Sequence, residues 1–184
     1  MAGPEEAALR ALISGLGREF KKVGGNGVTQ SKDRSDAVVD ALEALVKKQV
    51  LVGIPAEAAE RKEDEELNNA ARLYIHEFGA PEANIPARPT LMPGIRDAQE
   101  GVNKYFRASA KAAIAGDAGA VDVNLHRAGT VARDAVKEKI NSNIPPPLAA
   151  VTIAKRIALG VTRTNTLVMT GQMRNAVTYV VRDK

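Results

Sequence analysis

The chain's only imidazoles are His76 and His126, and they are the first residues that could hold a metal or move a proton. His76 stands in "YIHEFG" beside Glu77, on a stretch with helical periodicity. A helical zinc site needs a second ligand four residues on, one turn along the same face. That position is Ala80. His126 lies fifty residues further on, and no set of carboxylates around it completes a ligand shell. Cysteine is absent, which excludes disulfides, thiolate metal sites and a cysteine nucleophile. No nucleophile elbow is present for a serine hydrolase. The carboxylates of 63–66 are adjacent on a charged run. General acid–base catalysis asks instead for two separated carboxylates in an apolar pocket. These residues predict no enzyme, no metal and no cofactor.

Phosphate and nucleic-acid chemistry fare little better. "GGNGVTQSKD" (24–33) is rich in glycine, but no Gly-Lys-Ser/Thr follows and no G-x-G-x-x-G completes. It reads as a flexible hinge. Net charge is +4, unevenly spread. Residues 1–103 hold 13 Lys/Arg against 17 Asp/Glu, a net of −4; residues 104–184 hold 13 against 5, a net of +8. The basic half suits a surface near DNA or head-to-tail packing of copies. With three Tyr and three Phe, base-stacking platforms are scarce. Weak, nonspecific contact with double-stranded DNA is the most this pattern implies.

The elements that must position these residues follow from periodicity. Residues 5–23 read as an amphipathic helix, with Leu9, Leu12, Ile13 and Leu16 on one stripe. Ser35-Asp36 cap a second helix over 36–48. "QVLVGIP" (49–55) turns to strand character and stops at Pro55. "AEAAERKEDEEL" is a solvated, charged segment. Helices follow over 67–79, closed by Gly79, then over 94–116, 121–142 and 148–158, the last with Pro147 at its first position. "TGQMRNA" is a turn, and 176–182 alternates as a strand with Val177, Tyr179 and Val181 on one side.

The fold class is therefore α+β: a small sheet flanked by several helices, with an N-terminal helix and flexible Gly-rich hinge. The predicted organisation is 1–33, helix and hinge, and 34–184, one α+β domain. Two strands alone are marginally stable, so further short strands or a neighbouring copy should complete the sheet. Aromatics are 3% of residues and Trp is absent, so Ala, Val, Leu and Ile must fill the core. Such a core buries less apolar area per residue and gains from partner subunits. No run approaches the length of a membrane span, and Glu5 and Glu6 stand where a secretion signal carries Lys or Arg.

Five segments in order then carry a likeness: "VLVGIP" (50–55), "NNAARLYIHEFGA" (68–80), "IPARPTLMPGI" (85–95), "IPPPLAAVTIAKR" (144–156) and "LVMTGQMRNAVTYVV" (167–181). The series resembles the tailed-bacteriophage tail-completion family, also called neck or head–tail joining proteins. The likeness covers residues 37–182. Met169 departs from it, where an Asp before Thr-Gly is common, and so does Ala176, where Ser is usual.

The resemblance implies an α+β subunit, a small antiparallel sheet flanked by helices, and a structural virion protein, made in the host cytoplasm and built into the neck of the particle. There it would join the DNA-filled head to the tail around the DNA channel. The implied partners are copies of itself in a ring, six or alternatively twelve, with the head–tail connector or adaptor on one side. A tail terminator or tail tube protein lies on the other. Alternative readings are a tail terminator or minor tail protein at another layer, and a packaging-associated protein that binds DNA nonspecifically. The stiff loop "NIPARPTLMPGI" (84–95) then reads as an interface. Prolines fix φ and hold the preceding residues extended, so docking costs less entropy. Arg88, Pro86, Pro89 and Leu91 are the candidate contacts there, with Arg174 of the "TGQMRN" turn. The competing reading pairs Arg88 inside its own subunit, for example with Glu77, and makes "TGQMRN" a tight turn around Gly171.

Overall fold

Ala37, Ala41 and Val38 recur at helical spacing after Ser35, and the first described helix, α1, spans Ser35–Lys47. In this computed structural model, residues 35–60 and 67–184 are described. The expected helix at 5–23, the hinge at 24–33 and most of the charged run at 57–66 lie outside the described residues. Strand β1 (Lys48–Gly53) follows α1 directly, and a 3-10 turn at Ala56–Ala58 comes after Pro55. The remaining helices are α2 (Asn69–Phe78), α3 (Leu91–Asp97), α4 (Gln99–Ile114), α5 (Ala118–Asn141), α6 (Ala150–Ala158) and α7 (Gln172–Ala176). Strand β2 (Thr178–Asp183) closes the order and pairs antiparallel with β1. The fold is α+β, with a two-stranded sheet as the only one among the described residues.

The described residues divide into two compact units. One comprises 35–49, 105–125 and 183–184. In it Ala41, Ala113 and Val121 are wholly buried, and the buried Ser109 hydroxyl donates to the Val121 carbonyl at 3.1 Å. Gly116, at φ +73°, turns the chain after α4; a Cβ there would meet Ala37 Cβ at 3.1 Å. Asp117 starts α5 by accepting from the Ala120 amide at 2.8 Å. Lys48 pairs with Asp122, and the Lys184 amide donates to the Lys47 carbonyl at 2.7 Å.

The second unit comprises 50–60, 67–104 and 126–182. Its core gathers Leu73, Val136, Ile140, Val168, Met173 and Val177, with Val52, Ile54 and Leu91 packed against it. Within α5, Ala128, Ala132, Val136 and Ile140 form the buried stripe, as the 3–4 spacing predicts. Small residues let backbones come close. A Cβ on Gly94 of α3 would lie 2.8 Å from Val136 Cα, so α3 meets α5 backbone to backbone. The Tyr179 ring covers Gly129 in the same manner.

Several boundaries differ from the sequence reading. The long helix expected over 94–116 is two helices, α3 and α4, separated at Ala98. Its start moves back to Leu91 because a proline is tolerated in the first turn, where its missing N–H is not needed. The helix expected from 148 begins at Ala150 with Ala149 as its N-cap, whose carbonyl accepts the first helical bonds, from the Thr152 and Ile153 amides at 2.9 and 3.1 Å. The "TGQMRNA" turn contains the five-residue α7, entered through Gly171 at φ +82°.

Candidate functional site

The proline-rich segment is built onto the helix before it. Asn68 caps α2 by accepting from the Ala71 amide at 2.8 Å. The helix turns Asn69, Leu73 and Glu77 inward. Arg72 and His76 stand on one flank of that stripe, and Tyr74 and Phe78 on the other. Gly79, at φ +79°, ends the helix, and a Cβ there would meet the Ala87 amide nitrogen at 3.0 Å. The chain then doubles back: Ala80 and Ile85 exchange both backbone hydrogen bonds, at 2.9 and 3.0 Å. The Arg88 amide donates to the His76 carbonyl at 2.6 Å.

Glu77 uses that fold-back to cap the next helix. Its Oε2 accepts from the Thr90 and Leu91 amides at 2.7 and 2.9 Å, and its Oε1 from Met92 at 3.0 Å. A helix leaves four N-terminal amides without intrahelical partners. Here one carboxylate takes three, and the fourth position is Pro93, which has no N–H to satisfy. The negative charge also lies at the favourable end of the helix dipole. The "LMPG" spacing is thus explained by capping and by Gly94 packing on α5.

Arg88 is 6% exposed. Its Nε and Nη2 donate to the Pro146 carbonyl at 2.9 and 2.8 Å, and Nη2 also reaches the Pro147 carbonyl at 3.4 Å. Arg88 is thus held inside its own chain, by carbonyls of the "IPPPL" segment rather than by Glu77, whose oxygens serve α3. The planar fork suits two acceptors in one plane, which an ammonium does not match. The other candidates are scattered. Pro86 and Pro89 are exposed, and Leu91 is half-buried against the core. Arg174 is half-buried and donates to Asn141 Oδ1 at 3.2 Å and to Asn175 Oδ1.

A second buried arginine was not singled out in the sequence. Arg156, 8% exposed, donates through Nη1 to the carbonyls of Asn165, Arg163 and Val168 at 2.7, 3.2 and 3.3 Å. Its Nη2 reaches the Thr166 carbonyl at 3.3 Å. Burial lowers its pKa, but a guanidinium keeps its charge. The available signal was position: Arg156 falls three and four residues after Ile153 and Thr152, on the inward stripe of α6.

Both arginines line one groove of about 950 Å³, with Arg72 and His76 on the α2 wall. Among the described residues no Asp or Glu lines it. Apolar side chains do, among them Ile85, Leu148, Leu159, Val161 and Met169. Two polar atoms of the lining, His76 Nδ1 and Thr166 Oγ1, are buried without a hydrogen-bond partner. Burial holds the His76 pKa below the ordinary imidazole value, and the charges of Arg88 and Arg72 push it further the same way. Among the described residues no group of three His, Asp or Glu is placed to hold a metal ion. No helix among them is long and apolar enough to cross a membrane.

The basic residues of the second half are distributed unequally. Lys104, Arg107 and Lys111 are exposed at one-turn spacing on α4. Arg133 is paired with Asp134, and Lys139 with Asp97 at 2.8 Å. Comparison of the chain with protein-family models, with curated proteins and with solved structures finds no match.

Proposed function

We propose that this chain is a structural virion protein of a tailed bacteriophage. It forms a ring at the head–tail junction and joins the DNA-filled head to the tail around the DNA channel. The observation that carries the reading is what the resembling segments do in the fold. Glu77 of "HEFG" caps α3, Gly79 packs on Ala87, Arg88 of "IPARP" clamps the Pro146 carbonyl of "IPPPL", and Gly94 of "LMPG" packs on α5. A likeness concentrated in such residues is a likeness in what specifies the fold, which surface residues would not supply. Function then follows from the family by analogy.

The ring has six copies, with twelve as the alternative, and closes through a heterologous interface. Particles assembled without this chain test the role: unjoined, DNA-filled heads and free tails are expected. Empty heads would favour the packaging alternative, and joined particles with aberrant tails a terminator or minor tail role. The exposed α4 stripe of Lys104, Arg107 and Lys111 keeps the DNA-contact reading in view.

A further inference from the structure

We infer that the groove framed by α2 and the 147–173 segment is a receptor for an extended, acidic polypeptide segment with apolar residues among its carboxylates. The inference does not depend on a place in the neck.

Charge complementarity selects this occupant. Among the described residues the lining contains the buried Arg88 and Arg156 and no carboxylate, so these two guanidinium charges favour an anionic occupant. Arg88 and Arg156 spend their fixed hydrogen bonds on carbonyls, which leaves their charge unneutralised. Arg88 Nη1 makes no hydrogen bond within the described residues, although Nε and Nη2 do. The Thr166 hydroxyl, on a residue 5% exposed, also lacks a partner in this lining. A carboxylate supplies what a spare guanidinium N–H and an unpaired hydroxyl both accept as a partner. The lining also holds Leu148, Leu159, Val161 and Met169, which suit apolar side chains alternating with carboxylates along an extended strand. The volume is at the upper end of the roughly 300–1,000 Å³ of ligand clefts.

A DNA duplex fits less well. It presents phosphates on a convex surface, and its affinity comes from neutralising several of them at once. Arginines 6% and 8% exposed, recessed among apolar side chains, reach few. The exposed lysines and arginine of α4 are the better match for that ligand.

The test uses the full chain and three labelled ten-residue peptides in fluorescence anisotropy at physiological salt: alternating Glu and Leu, Gln and Leu, and Lys and Leu. A short duplex is the fourth probe. The Glu/Leu peptide is expected to bind at least about tenfold tighter than the other three probes, a gap of about 1.4 kcal/mol. Leu159 lines the groove and is 69% exposed, so substitutions there leave the fold intact, which thermal melting verifies. Leu159→Glu should weaken the Glu/Leu peptide by about tenfold or more relative to Leu159→Lys, since both lose the same apolar contact but differ in charge. Equal binding of the Glu/Leu and Gln/Leu peptides overturns the proposal, as do equal losses in the two variants. Tighter binding of the duplex, or no peptide binding at all, does the same.

Discussion

Truncating Arg88 leaves the Pro146 and Pro147 carbonyls without their donors. Because both prolines are themselves exposed, water can return to these carbonyls, so the loss is chiefly that of the charged fork. Arg88→Ala is expected to cost about 1.5–3 kcal/mol, the range for hydrogen bonds to charged groups. Arg88→Lys should recover part of it, since a point charge reaches one carbonyl but does not present a planar pair of donors. Denaturant unfolding of the purified chain measures both. The effect falls on stability of the single chain, before any effect on assembly. His76 adds a pH dependence. Its folded pKa is lowered, so below the ordinary value of about 6.5 the unfolded chain binds a proton that the folded chain resists. Stability is fully present above that value and declines as pH falls from it toward the lower folded pKa. His76→Asn should flatten this slope in melts between pH 7.5 and pH 5.

At the scale of elements, the close approach of α3 to α5 sets the sharpest constraint. Gly94→Ala places a methyl group against Val136 backbone atoms, which cannot rotate away. A destabilisation of about 1–3 kcal/mol is expected, the usual cost of overpacking, read from the unfolding midpoint. Gly53→Ala, where no atom lies within 4 Å of an added Cβ, is the control and should change little. Much of the element order was legible because its signals are local. Gly79 as a stop and the 3–4 stripe of α5 are both read within a few residues. The start of α3 was not legible, because its cap is Glu77, thirteen residues before Thr90 and on another helix. The carbonyl partners of Arg88 and Arg156 were hidden for the same reason. Backbone acceptors leave no trace in side-chain identity, so a search for pairs of opposite charge looks past them.

For the whole molecule, the proposed contact with DNA rests on charge. Ion pairing engages Arg133 and Lys139, and α4 carries Lys104, Arg107 and Lys111 on an exposed face. The free chain should bind duplex DNA weakly and without sequence preference, at roughly 10⁻⁴ to 10⁻⁶ M at physiological salt, and lose it as salt rises. Titration against two unrelated duplexes at two salt concentrations checks this. Replacing Lys104, Arg107 and Lys111 together with Gln should remove most of the salt dependence, whereas Arg88 and Arg156 sit too deep to contribute.

The two anchors of the proline loop also differ in how much chain they enclose. Glu77 reaches α3 across 13 to 15 residues, whereas Arg88 reaches Pro146 across 58. Closing a longer loop costs more chain entropy and rewards the chain later. The cap should therefore be formed early on the way to the native state and the clamp late. Glu77→Gln is expected to act mainly by slowing refolding, and Arg88→Ala mainly by speeding unfolding, as the two arms of a stopped-flow chevron would report. One loop would then carry two clocks: a local contact that governs how fast the chain arrives, and a distant one that governs how long it stays.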